Sequence, residues 1–385
     1  MRICLVSSSF YPAIFYGGPI SSTWDLSKKI GNNGVKVFVS TTNANGKERL
    51  RNLETNKYKE ITENVYVKYY HEQIINVVSL SFLFNIYSDI KKSDVVYIQY
   101  LFNYTVFISL LFSFLQKKKI IICPRGSLSS WGLKYKKKWI KKTWINFLIR
   151  PFIKNVRWHA CSYLEVKDIK NVFKNSDVVE INDGIDFQSF QNSKKIDKIK
   201  LVNNFTSSSF DKVEDVFFSM GRLHEIKGFD IIIDAFNIHL KSHKNDKLII
   251  AGGDDGERKN LEEQIRRLNL QDSVFLIGAV NHFQKCELLT NSTAFILASH
   301  FESFGIVIAE SLACGTPVIV SNKTSWNEIE TNKCGIFTEN DISGFVKSLS
   351  DIKERNFNKE QIKNYVNSTF DWKIITNKFL ETLRN

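Results

Sequence analysis

Glu302 and Glu310 bracket the glycine of HFESFGIVIAESLACGTP (300–317), a spacing that sets Glu302 just ahead of a helix and Glu310 inside it. Gly305 opens that helix, so orphan backbone N–H groups and the positive end of the helix dipole point outward, where negative charge is favoured. A diphosphate suits that mouth, and a carboxylate two turns along can accept hydrogen bonds from both hydroxyls of a ribose. Upstream, GRLHEIKGFD brings Arg222 and Lys227 onto one loop after a strand, with Gly228 turning the chain into the next helix. An Arg forks onto two oxygens and a Lys adds a mobile point charge. Cleaving a glycosyl phosphate bond develops charge on the departing phosphate, so fixed cations and helix amides lower that barrier directly. These residues describe a sugar-nucleotide pocket in which neither a metal ion nor any other cofactor is needed.

The elements that must position them are read from alternating apolar runs. Ile3–Val6, Val35–Val39, Val95–Ile98 and Ile120–Cys123 in the first half, and Val216–Met220, Leu248–Ala251, Val274–Ile277, Ala294–Leu297 and Val318–Val320 in the second, are short β-branched stretches separated by helical patterns. That grammar predicts parallel sheets with helices on both faces. The expected fold is α/β, two facing Rossmann-like doubly wound domains with ligand at the carboxyl ends of the strands. Expected boundaries are 1–190 for the first domain, 191–213 for a polar linker, 214–367 for the second domain and 368–385 for a C-terminal helix crossing back onto the first.

With 385 residues, 43% of them apolar, two cores can form. The opening MRICLVSSSFYP reads as a first strand and not a secretory segment, which leads to a cytoplasmic expectation. Six scattered cysteines without a C-x-x-C pair read as reduced core thiols. The apolar stretch 104–115 is too short to span a bilayer, which takes about 20 residues, and reads as a buried or surface-docked helix. A net charge of +13 asks for an anionic partner or a solvated lysine surface. Residues 131–150, WGLKYKKKWIKKTWINFLIR, mix lysines with interfacial aromatics and predict an amphipathic helix on an anionic membrane surface, with a solvated helix whose aromatics pack inward as the alternative. No finger, basic zipper or RNP-like run supports nucleic acid as a partner.

The Glu302–Glu310 spacing, followed by Ala313, Gly315 and Pro317 as A-x-G-x-P and in register with G-R-L…K-G, resembles the retaining glycosyltransferase family 4, which has GT-B architecture. The resemblance implies that Glu310 holds the ribose diol, that Glu302 sits beside the transferred sugar, and that Phe304, Gly305 and Ile306 offer backbone amides. It also implies that Gly17 and Gly18 form the family's N-terminal glycine loop, with a plain turn as the alternative. Gly184 and Asp186 of INDGID, Gly252 and Gly253, and Gly278 to Val280 match loops that line the cleft or meet the nucleotide. Asp254 and Asp255 read as a solvated turn and not a metal site, and His224 and His300 as structural.

One departure concerns CPRGSL, where many members carry a His and this chain offers Arg125. An Arg cannot act as a base, so it is expected to steady phosphate or a sugar hydroxyl. The P-R-G-S-L run, with His159 and Ser162 in WHACSYLE, resembles a bacterial surface-polysaccharide (capsule or O-antigen) subgroup. His159 is either cleft-lining or packed in the core. The implied activity is transfer of a hexose or N-acetylhexosamine, with retention, from a UDP- or GDP-sugar to a saccharide acceptor carried on a polyprenyl diphosphate. The implied location is peripheral, on the inner face of the plasma membrane. A sugar-nucleotide 2-epimerase of the same architecture is the rival, and a phosphorylase would need a pyridoxal lysine and a longer chain.

Overall fold

Runs such as VVYIQ (95–99) and KLIIA (247–251) are buried at every position, the pattern of strands covered on both faces. The computed structural model describes residues 1–74, 78–134, 137–206 and 208–384, apart from the side chain of Ile14. The chain divides into two units, residues 1–184 with 372–385, and residues 185–371.

The first unit holds β1 (Arg2–Val6), β2 (Lys36–Thr42), β3 (Lys59–Thr62), β4 (Val65–Tyr70), β5 (Val95–Gln99), β6 (Lys119–Cys123), β7 (Val156–Ala160) and β8 (Asp177–Glu180). They form one sheet in the order β8-β7-β6-β5-β1-β2-β4-β3. Only β3 runs antiparallel to its neighbour. Its helices include α1 (Gly18–Asn32), α2 (Leu80–Lys91), α3 (Tyr104–Leu115) and α4 (Tyr163–Val172). Ser79, Asn103 and Ser162 cap the last three by accepting from Phe82, Thr105 and Glu165 backbone N–H groups.

The C-terminal helix, Trp372–Arg384, belongs to this unit and packs against α1. Ile375, Phe379 and Leu383 recur at helical spacing and are buried, with Phe379 5.0 Å from the Tyr97 ring. Lys119 Nζ donates to the Thr382 and Leu383 carbonyls at 3.2 and 3.0 Å, placing a cation on the helix's negative end.

The second unit holds β9 (Val216–Met220), β10 (Lys247–Ala251), β11 (Val274–Gly278), β12 (Ala294–Leu297), β13 (Val318–Ser321) and β14 (Gly335–Thr338), all parallel, in the order β11-β10-β9-β12-β13-β14. That is the Rossmann order, and its switch point lies between β9 and β12. The helices used below are α5 (Phe229–His239), α6 (His282–Asn291) and α7 (Ile306–Ala313). Asp215, at the amino edge of this sheet, ties down its base by accepting from Lys198 (2.6 Å), Thr293 (2.6 Å) and Lys353 (2.9 Å).

Three local expectations need correction. Residues 131–150 are not one helix: Ser130–Lys134 and Lys138–Thr143 are separate short helices, and Trp144–Ile149 is wound more widely. Lys137 adopts a left-handed backbone that ends the continuity, Pro151 follows the wide turn, and Tyr135 and Lys136 lie outside the described residues. The polar stretch 191–213 falls inside the second unit, where Lys198–Phe205 is a helix burying Leu201 and Val202. Strands β3, β4, β7, β8 and β14 were not expected, because their polar or aromatic residues break the aliphatic run that marks the others.

Candidate active site

The second unit's switch point brings Arg222, Lys227 and Glu302 of the sequence-predicted residues to one sheet edge. Arg222 follows β9 and Glu302 follows β12, so adjacent strands deliver the two loops to one edge. Gly228, in the left-handed region at φ 63°, starts α5, and a Cβ there would lie 2.2 Å from the Ala298 carbonyl oxygen. Only glycine allows this close approach. It holds the loops near enough for Lys227 Nζ to reach Glu302 Oε1 at 2.5 Å, while Ser299 Oγ donates to the same oxygen at 2.7 Å. Arg222 pairs with Asp255, on the loop after β10.

Gly305, also left-handed at φ 82°, caps α7 without a side-chain hydrogen bond, leaving the first amides of that helix for another acceptor. Phe304 has its ring buried against Trp326 and Phe370, and its carbonyl accepts from Trp326 Nε1 at 2.6 Å. Its contribution to a ligand is therefore confined to backbone. Glu310 lies on α7, 9% exposed, with Oε1 accepting from Lys285 Nζ at 2.5 Å and Oε2 buried without a partner. An orphaned carboxylate oxygen at this depth is costly unless a donor arrives, which is what a ribose hydroxyl would supply.

Lys285, Ser299 and Asp255 are the residues that sequence reasoning missed or misread. Lys285 is set by α6, whose capping box joins Asn281 and Gln284. No signal in its neighbourhood distinguishes it from the other lysines. Asp255 has a partner in Arg222 and so is more than a solvated turn. Asp254 accepts from the Gly256 and Arg258 backbone N–H groups, and those bonds hold its carboxyl below the usual range. Gly253 accepts from Leu223 N–H at 2.8 Å with open space on its Cα, and Val280 is half-buried after β11. His224 caps its own turn through Ile226 N–H, and His300 lies 3.2 Å from Asn340 Nδ2, so both bond to protein.

In the first unit, Gly17 sits left-handed at φ 75° before α1, with Gly18 and Pro19 opening the helix. Arg125 is a different case from Arg222. Its guanidinium donates to Gln99 Oε1 (2.9 Å), Asp183 Oδ1 (2.6 Å), Cys161 Sγ (3.1 Å) and Thr23 Oγ1 (3.4 Å), with the side chain 1% exposed. Burial opposes its charge, but Asp183 and the neighbouring thiols outweigh burial and raise its pKa. His159 is equally enclosed, with Nδ1 2.7 Å from Tyr97 OH and Nε2 2.7 Å from the Ile181 carbonyl. Every nitrogen of both side chains is engaged by protein, and His159 is packed in the core. In this cluster Asp183, missed in sequence, is less buried than Arg125, its side chain 12% exposed.

Glu165 completes it, accepting from Gly126 and Cys161 N–H groups at 2.5 and 2.7 Å. Burial lifts its carboxyl to about 7, with the Cys123 thiol adding to the effect. Among the described residues, Cys123, His159 and Cys161 are grouped closely enough to hold a metal ion. The Arg125 cation against Cys161 and the two engaged ring nitrogens fit such an ion poorly.

Two Rossmann-like units of these strand orders have the GT-B fold. Residues 203–368 match the family model described as glycosyl transferases group 1. The alpha-monoglucosyldiacylglycerol synthase of Streptococcus pneumoniae is 26% identical over 265 residues, covering 63% of this chain and 58% of that protein. An uncharacterised glycosyltransferase of Methanocaldococcus jannaschii is 33% identical over 165 residues, covering 41% of this chain and 42% of its own. The matched stretch thus spans 58% and 42% of these curated relatives. Sucrose-phosphate synthase from Thermosynechococcus elongatus superposes with a TM-score of 0.76 at 16% identity, over 100% of this chain and 98% of that one. Anabaena HepE in complex with UDP-glucose gives 0.75 at 20% identity, over 100% and 99%. These likenesses share the fold.

Proposed function

We propose that the chain is a retaining, metal-independent glycosyltransferase that moves a hexose or N-acetylhexosamine from a UDP- or GDP-sugar to a saccharide acceptor. The observation that carries this is the joining of Lys227 to Glu302 across the β9/β12 switch point, beside the uncapped start of α7 and the orphaned Glu310 oxygen. In this reading the diphosphate takes Lys227 and Arg222 from their carboxylate partners, and Gly305 and Ile306 amides complete its cradle. Glu310 clasps the ribose, with Lys285 fixing its rotamer. Gly253 and Val280 border the base.

Glu302, released from Lys227, opposes positive charge on the sugar ring as the leaving-group bond lengthens. The acceptor hydroxyl attacks from the face the diphosphate leaves, and the leaving phosphate takes its proton, so no enzyme base is required. The first unit serves the acceptor, with Arg125 and His159 shaping that region from beneath and Asp183 meeting the ligand. The acceptor is a lipid-borne saccharide, a polyprenyl diphosphate carrier of bacterial surface polysaccharide assembly. The S. pneumoniae relative's name likewise puts a glucosylated lipid in its product. Residues 131–150 rest on the anionic inner face of the plasma membrane, with Trp139 and Phe147 more than two-thirds exposed.

Thermal-shift screening against UDP, GDP and their sugar conjugates tests the donor, and anomeric analysis of the product by NMR tests retention. Incubating the donor without acceptor separates transfer from 2-epimerisation: an epimerised sugar nucleotide would replace this function with the rival one.

A further inference from the structure

Helix α3 carries more apolar surface than its buried side uses. Thr105, Ser109 and Ser113 with Val106 and Leu110 are fully buried, Ile108 and Phe112 are half-buried against the same core, and Phe107 and Leu111 are half-buried beside them. Phe114 and Leu115 are exposed at its end. Beside it, α2 presents Leu80, Phe84 and Tyr87, a stripe at i, i+4 and i+7, to solvent. Phe84 is 80% exposed and Leu115 61%. The two helices touch, with Tyr87 edge-on to Phe112 at 5.4 Å and Gln116 Nε2 donating to the Tyr87 carbonyl at 3.0 Å. On its other flank α3 meets the 144–155 segment through Phe107–Trp144 (6.3 Å) and Phe114–Phe152 (5.3 Å). Phe147, on the same segment, is 72% exposed. Exposed apolar side chains gathered on neighbouring elements mark a partner.

Charge identifies which partner. From Val95 to Leu164 the chain contains thirteen Lys and Arg and not one Asp or Glu, a charge equal to the whole molecule's excess of +13. Lys91 ends the α2 stripe and Lys117 follows α3. An apolar face flanked by so basic a stretch suits a bilayer with anionic headgroups: acyl chains take the aromatics and phosphates take the lysines. A second copy of the chain would bring the same uncompensated charge to the contact and be repelled. No described helix is long and apolar enough to cross a membrane, which leaves a surface mode.

We propose that α2 and α3 form an apolar docking plate that inserts Leu80, Phe84, Tyr87, Phe114, Leu115 and Phe147 into an anionic bilayer, with the basic 131–150 segment as its rim. The proposal deepens the membrane contact inferred above and does not depend on the sugar chemistry. Flotation with phosphatidylcholine vesicles, with and without about a third phosphatidylglycerol, tests it on wild type, Phe84→Glu/Leu115→Glu and Lys138→Glu/Lys142→Glu. Wild type should float with the mixed vesicles. The apolar variant should lose binding at least tenfold while its nucleotide-induced thermal shift stays intact, which separates lost docking from misfolding and from failure of the donor site.

The lysine variant should weaken binding less, and only at low salt. Wild-type flotation of the Phe84/Leu115 variant overturns the plate, whether the lysine variant still binds or not. Conversion of a wild-type dimer to monomers by Phe84→Glu/Leu115→Glu in sedimentation velocity, with flotation unchanged, also overturns it in favour of a self-interface.

Discussion

Paired charges stand at the carboxyl ends of strands in both units, held in opposite ways. In the second unit, Lys227, Arg222 and Lys285 each meet a single carboxylate, Glu302, Asp255 and Glu310 respectively, with side chains between 12% and 41% exposed. In the first, Arg125 spends its donors on four acceptors and is 1% exposed, and Glu165 and His159 are closed over by backbone and Tyr97. A diphosphate can replace the single carboxylate partner of an open cation, since one anion is exchanged for another near solvent. It cannot enter a sealed cluster without leaving several polar groups unsatisfied. The open pairs are thus built for exchange and the sealed cluster for holding loops in place.

That difference is broken most severely at Arg125. Arg125→Ala strands Asp183 and Gln99, and urea denaturation should register a loss of about 3–5 kcal/mol, the usual result of removing one member of a buried pair. Lys227→Ala should do the reverse, leaving stability nearly unchanged and lowering turnover by roughly 100- to 1,000-fold in a nucleotide-release assay, with Arg222→Ala similar. Should Arg125→Ala prove harmless to folding, or Lys227→Ala harmless to turnover, the contrast between sealed and open clusters is wrong. Glu310→Ala should weaken nucleotide binding by about 10- to 100-fold in calorimetry with smaller effect on turnover at saturating donor.

The smallest effect concerns the base of the second sheet. Burial pushes the Asp215 carboxyl up, but the bonds from Lys198, Thr293 and Lys353 outweigh it and bring it down to about 2. A lowered carboxylate contributes stability above its unfolded value near 4 and loses it as pH falls through about 2, a swing of roughly 2 kcal/mol. Asp215→Asn should abolish that acid limb in denaturation curves between pH 4 and pH 2.

Legibility in the sequence followed the same divide. Glu302, Gly305, Glu310, Arg222 and Lys227 could be read because each owes its place to a local motif, a strand end or a helix start, and those survive in one dimension. Strands of unbroken aliphatics were legible, and so was the helix 104–115, whose bounds agree with Tyr104–Leu115. The depth of Arg125 was not, since it is enclosed by Gln99, Cys161 and Asp183 from three other strand ends. Lys285 meets Glu310 across 25 residues, a pairing that only the packing of α6 beside α7 produces. The break in 131–150 was hidden because periodicity carries no sign of a left-handed residue at Lys137.

The central claim is that two cations and the mouth of α7 hold a diphosphate, with Glu310 on the pentose. Calorimetry of UDP and GDP, each beside its own nucleoside, on wild type and on Arg222→Ala/Lys227→Ala tests it most directly. The account predicts that one diphosphate binds wild type at least 100-fold tighter than its nucleoside, and that the double variant loses most of that margin while binding the nucleoside unchanged. Equal affinity for nucleoside and diphosphate in wild type, or an undiminished margin in the double variant, would contradict it.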